Sequence, residues 1–153
     1  MKEVNKTLYA LEIPLFGELF KDSQDRFKTH DVVDMVDCAH CADIVGLRFN
    51  IESREQIKGA QKLLKGLLFN ITKPVMISGS NDDSLDRILL PELMKVLEFP
   101  AIISSANENT YKELVPPAIK GSHRLVLKTP IDINSCKELN ILACDLGLEL
   151  DKI

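Results

Sequence analysis

The sequence predicts an α/β fold built on a parallel sheet. Three observations predict it: five short apolar runs rich in β-formers, helical apolar spacing in the intervals between them, and capping or terminating residues at the expected helix ends. Strands that alternate with helices need crossover connections, and crossovers give parallel strands with helices over their apolar faces.

In order, the expected strands are Thr7 to Pro14, Asp43 to Phe49, Pro74 to Ser78, Pro100 to Ser104 and His123 to Lys128. The first interval holds Val32, Val33, Met35 and Val36 at helical spacing, and the second holds Ile57, Ala60, Leu63, Leu64 and Leu67. The third holds Ile88, Leu89, Leu93, Met94 and Leu97, and the fourth holds Tyr111, Leu114, Val115, Ala118 and Ile119. A fifth stretch, with Ile133, Cys136, Leu139, Asn140, Leu142 and Ala143, follows the last strand. Ser53 followed by Glu55, and Asp132, read as N-cap regions, while Gly66, Gly121 and Gly147 read as stops. Pro116-Pro117 remove two backbone donors and are expected to kink the fourth helix or end its first part near Val115.

The chain has 153 residues, 45% of them hydrophobic and 27% charged, which is the composition of one soluble globular domain over residues 1–153. Nineteen Lys plus Arg against 23 Asp plus Glu leave a charge of -4 and no basic arm, so nucleic acid and anionic membrane are not expected partners. Apolar runs are far shorter than the roughly 18 residues of a spanning helix, and no segment reads as a signal peptide. The expected setting is therefore cytoplasmic, with Cys38, Cys41, Cys136 and Cys144 as reduced thiols.

A doubly wound open sheet of five parallel strands fits this length, whereas a complete eight-stranded barrel needs roughly 250 residues. In both folds, ligands gather at the carboxyl ends of the strands. Glu12, Arg48 and Asn50, then Ser78 to Asn81, Ser105 to Glu108, and Thr129, Asp132 and Asn134 occupy those ends. Their amides, hydroxyls and carboxylates suit a polar ligand. For Asn50, Asn81 and Asp132, helix capping is the preferred reading, and Glu12 has Arg48 as an available partner.

Other motifs are weak. Ser78-Gly79-Ser80-Asn81 lacks the Gly spacing and Lys of a phosphate loop. Cys38-Ala-His40-Cys41 could supply two thiolates to a metal or cluster, but Cys136 and Cys144 do not repeat its spacing, so inert cysteines are expected. His30, His40 and His123 form no nucleophile–base pattern, and no self-contained catalytic constellation is visible.

Ile103-Ser-Ser-Ala-Asn-Glu-Asn-Thr-Tyr-Lys112 and Thr129-Pro-Ile-Asp-Ile-Asn-Ser-Cys-Lys-Glu-Leu-Asn-Ile-Leu142 resemble the small (delta) subunit family of the corrinoid iron–sulfur protein of the acetyl-CoA synthase/decarbonylase system. Ala10-Leu-Glu-Ile13, Cys41-Ala-Asp-Ile-Val-Gly-Leu-Arg48, Lys73-Pro-Val-Met-Ile-Ser-Gly-Ser80 and Gly147-Leu-Glu-Leu-Asp-Lys-Ile153 fit the same family in the same order. Two departures are visible. Ser78 to Ser84 lacks the family's basic residue, and about five β/α units are present where an eight-unit barrel is implied.

The resemblance implies a (β/α) TIM-barrel type fold truncated to about five units, completed by a second chain or a second copy; the open doubly wound sheet is the alternative. It implies a cobamide shared with a large corrinoid iron–sulfur subunit that carries a [4Fe-4S] cluster, and no metal bound by this chain alone. The implied role is cobamide handling during methyl transfer from methyl-tetrahydrofolate or methyl-tetrahydropterin to acetyl-CoA synthase. By the same resemblance, Asn107, Glu108, Thr129, Asp132 and Asn134 would face the cofactor. A pterin-binding methyltransferase-like domain and a degenerate assembly subunit are the competing readings.

Overall fold

In the computed structural model, residues 7–16, 42–129 and 132–153 are described. Five strands, β1 (Ala10–Leu15), β2 (Ile44–Phe49), β3 (Val75–Ser78), β4 (Ile102–Ala106) and β5 (Arg124–Leu127), form one sheet in the order β1-β2-β3-β4-β5. All four pairings are parallel. Four helices are described: α1 (Ile57–Leu68), α2 (Asp83–Met94), α3 (Tyr111–Lys120) and α4 (Ile133–Asp145). A single 3-10 turn, Arg54–Gln56, precedes α1, and another, Leu150–Lys152, follows α4. The α/β class and the five-stranded parallel sheet are thus as the sequence predicts. The first expected helical stretch and Cys38, Cys41, His30 and His40 lie outside the described residues.

Strand alternation sorts the sheet into two faces. One face buries the register row Ile13, Leu47, Ile77, Ile103 and Leu125 at 0–1% exposure, and it joins a single core with the buried stripes of all four helices. Those stripes recur at i, i+3 and i+4: Ala60, Leu63, Leu64 and Leu67 in α1; Leu89, Leu90 and Leu93 in α2; Leu114, Val115 and Ala118 in α3; Leu139 and Ala143 in α4. The other face carries two rows of different character: Glu12, Gly46, Met76, Ile102 and Arg124, and one step further along Pro14, Arg48, Ser78, Ser104 and Val126. We call it the open face.

A cavity of about 570 Å³ lies at the amino-terminal edge of the sheet, where Leu8, Ile44, Pro74, Ile102 and Arg124 border it together with Lys152 of the C-terminal turn.

Several boundaries differ from expectation. Strand β1 starts at Ala10 because Tyr9 spends its N–H on the Asp43 carboxylate, at 3.1 Å. Helix α2 begins at Asp83, well before Ile88, because Asp82 caps it by accepting from the N–H groups of Ser84 and Leu85. Asn81, read as a cap from the sequence, is instead a left-handed residue with φ 68° just before that cap. Among the described residues Asn50 caps no helix, and at Ser53, the N-cap read from the sequence, Gln56 Oε1 accepts from the N–H groups of Glu52 and Ser53 while the Glu55 carboxylate takes a hydrogen bond from the Ser53 side chain.

Gly66 does not stop α1, which runs on to Leu68; the space around a Cβ at Gly66 is open, so the residue costs only its intrinsic helix penalty of about 1 kcal/mol. Pro116 and Pro117 do not break α3, which runs through both. The prolines leave unbonded the carbonyls of Lys112 and Glu113, two exposed residues where water can serve them, while buried Leu114, Val115 and Ala118 pin the helix to the core.

Candidate functional site

The carboxyl ends of the strands gather the polar groups, and three local constructions hold them. The first joins β3 and β4. Asp83, in the first turn of α2, accepts from Asn107 Nδ2 through Oδ1 and from Asn109 Nδ2 through Oδ2, both at 2.7 Å. These two amide bonds hold the Asp83 carboxyl below the usual carboxylate range. Asn107 Oδ1 in turn accepts from the Asn109 N–H at 2.9 Å and from the Thr110 hydroxyl at 3.2 Å, so its oxygen is committed to the turn that starts α3.

The second lies within the β3–α2 turn. Asp86 is buried, and its carboxylate accepts from the Ser80 N–H at 2.7 Å, the Ser80 hydroxyl at 2.8 Å and the Asn81 N–H at 3.0 Å. Burial raises its pKa, and the hydrogen bonds from Ser80 and Asn81 oppose that rise. The turn therefore makes an anion nest whose occupant is the chain's own carboxylate. Gly79 is required there, because a Cβ would stand 2.4 Å from the Asp86 carboxyl carbon.

The third lies on the open face. Arg48 Nη2 meets Glu12 Oε2 at 2.9 Å across neighbouring strands, with both side chains about one-third exposed. Arg48 Nε and the hydroxyl of Ser78, its register partner on β3, are buried without a hydrogen-bond partner among the described residues.

The residues that the resemblance assigns to a cofactor fall in different settings. Asn107 is tied to Asp83, as above. Asp132 is the N-cap of α4, accepting from the N–H groups of Asn134 and Ser135 at 2.7 and 2.9 Å, which matches the capping role read from the sequence. Glu108 and Asn134 are exposed, and Thr129 is half-buried just beyond β5. Asn107, Glu108 and Asn109 share the β4–α3 turn, whereas Asp132 and Asn134 open α4. Asp83 and Asp86 were not singled out from the sequence. Their one signal is position, since Asp82, Asp83 and Asp86 crowd the start of α2 where carboxylates favour the helix dipole.

Elsewhere, His123 is 1% exposed, and its Nδ1 accepts from the Ala101 N–H at 3.1 Å. Burial lowers its pKa, so it is a structural acceptor in its neutral form. Cys136 and Cys144 are free thiols. Among the described residues, no group of three or more His, Cys, Asp or Glu is placed to hold a metal ion, and no helix is long and apolar enough to cross a membrane.

No family model matches the chain. The acetyl-CoA decarbonylase/synthase complex subunit delta of Methanocaldococcus jannaschii is 32% identical to it over 98 residues, which is 63% of this chain and 24% of that protein. The chain thus matches about a quarter of its relative's length. With that proportion stated, the resemblance drawn from the residues is borne out: this chain is similar to the delta subunit of the acetyl-CoA decarbonylase/synthase complex.

Proposed function

We propose that the chain is a cobamide-handling component of an acetyl-CoA decarbonylase/synthase type of complex, working beside a large corrinoid iron–sulfur subunit and supporting methyl transfer from a methyl-tetrahydropterin or methyl-tetrahydrofolate. The single observation that carries the reading is the 32% identity to a delta subunit. The fold gives it further support. Strand order follows chain order without a reversal, and the stripes of the four described helices meet one face, as right-handed crossovers produce in a barrel segment; a doubly wound sheet reverses its order at a switch point.

The donor set suits the group. A corrin presents peripheral carboxamides, and the strand ends offer hydroxyls, amides, a guanidinium and carboxylates that hydrogen-bond with them. When bound, the cobamide supplies the methyl-carrying cobalt chemistry, and the macrocycle's own nitrogens hold the metal. The chain's residues are left to orient the ring's edge and keep water from it.

One observation favours a second reading, an assembly subunit that has lost ligand contact: Asn107 and Asp132 are both engaged at helix N-termini. Co-expression with a large corrinoid iron–sulfur subunit, followed by affinity capture and ultraviolet–visible spectroscopy, separates the two. Cobamide-handling predicts a captured complex that retains more corrin than the large subunit alone. Equal retention in a stable complex would establish the assembly role instead.

A further inference from the structure

We propose that the cavity at the amino-terminal edge of the sheet is a binding site for a small organic anion, whose oxyanion head is held at the β5 end by Arg124, Lys152 and Ser122 while its apolar body lies on Ile44, Pro74 and Ile102. The argument starts from a patch that the core does not use. Leu8, Pro74 and Pro100 are exposed and Ile44 and Ile102 half-buried, and all five border one cavity of about 570 Å³. Contiguous exposed apolar surface marks a place where something docks. The volume falls within the roughly 300–1,000 Å³ of small-molecule sites, whose walls are mainly apolar with a few polar groups that fix orientation. Because Leu8, Pro74, Ser122 and Arg124 are exposed, the cavity is open to solvent and a ligand can enter it directly.

The polar groups set the ligand's charge. Arg124, on β5, and Lys152, in the turn after α4, both border the cavity, and among the described residues neither side chain makes an ion pair or a hydrogen bond. Ser122 and Lys152 also border a second cavity, of about 180 Å³, and Ser122 stands two residues before Arg124, so the three gather at the β5 end. The cavity's carboxylate, Asp43, stands just before β2, three strands and about 14 Å from β5, and it accepts from the Tyr9 N–H at 3.1 Å. The cations at the β5 end therefore lack a counter-charge. An Arg fork matches two oxygens of one oxyanion, and a Lys ammonium adds a point charge beside it. Carboxylates and phosphate monoesters share this chemistry, whereas a neutral ligand would gain only the apolar contact.

This cavity lies at the opposite end of the strands from Asn107, Glu108 and Asp132. The inference thus goes beyond the function proposed above, and either can fail without the other.

The test follows the whole chain by heteronuclear NMR during titration with hexanoate, hexyl phosphate, inorganic phosphate and hexanol, in wild type, Arg124→Gln and Lys152→Gln. Hexanoate or hexyl phosphate is expected to shift the amide signals of Ile44, Ile102 and Arg124, and the tighter of the two identifies the head. Each substitution should weaken that probe about three- to tenfold, and hexanol should bind about tenfold more weakly than it. Melting temperatures of both variants should match wild type, since neither side chain has a partner to lose; a lowered value would show that the cation serves the fold and would overturn the site. Inorganic phosphate binding as tightly as hexyl phosphate would reduce the site to surface charge and overturn it. No shift at these residues overturns it as well, as does a dimer in sedimentation whose contact, seen as concentration-dependent shifts at the same residues, excludes both anions.

Discussion

Asn107 Nδ2 donates to Asp83 Oδ1 at 2.7 Å, tying the turn after β4 to the first turn of α2. The contact spans 24 positions of sequence and locks two adjacent β/α turns into one rim. Asp83→Ala is therefore expected to destabilise the chain by about 1–2 kcal/mol, since both asparagine amides lose a charged acceptor. In a double-mutant cycle with Asn107→Ala, urea unfolding should give a coupling of about 1 kcal/mol, and additivity would show the bond to be idle.

Gly79→Ala should be more damaging than its size suggests. The added Cβ would meet the Asp86 carboxyl group at 2.4–2.5 Å and force it out of the nest of N–H and hydroxyl donors. A loss of about 2–4 kcal/mol follows from displacing a buried, hydrogen-bonded charge. In an Asp86→Ala background the same change should cost far less, and equal cost in both backgrounds would place the clash elsewhere.

Stability should fall with acidity through His123. Its folded pKa lies below the ordinary value of about 6.5, so the unfolded chain binds the proton more readily. The stabilisation is complete above that ordinary value and declines as pH drops from it toward the lower folded value. Melting temperatures measured from pH 7.5 to 5 should decline in wild type. They should decline less in His123→Asn, whose side-chain oxygen can replace Nδ1 as acceptor for Ala101; parallel curves would exclude His123 as the source.

Helix α3 should gain from losing its prolines. Pro116→Ala restores a donor to the Lys112 carbonyl, and Pro117→Ala does the same for Glu113. Each is expected to raise stability by about 2 kcal/mol, a proline interior penalty of about 3 kcal/mol being partly offset by the stiffer unfolded chain that proline provides. Thermal melts that fall instead would mean that the prolines shape the packing of Leu114 and Val115.

The strands were legible because each is a short apolar run between polar turns, and α1, α3 and α4 because their apolar spacing repeats through the whole helix. The start of α2 was not. Asp83, Ser84, Asp86 and Arg87 give its first turns no apolar period, and only the Asp82 cap marks where it begins. The run of α3 through Pro116 and Pro117 was hidden for a related reason: local rules read the lost donors, while burial of Leu114, Val115 and Ala118 decides the outcome. At the rim, the sequence could name amides and carboxylates but not their partners. Nothing local in Asn107 announces Asp83, and nothing in Ser78 announces that its hydroxyl is sealed from water beside Arg48.

Each strand lies next to the one made just before it. A nascent chain leaving the ribosome can therefore dock every new unit on an edge that already exists, without waiting for a distant segment to arrive. Synthesis and assembly of this sheet run in the same direction, and pausing translation between units should yield intermediates that are smaller versions of the same layered structure.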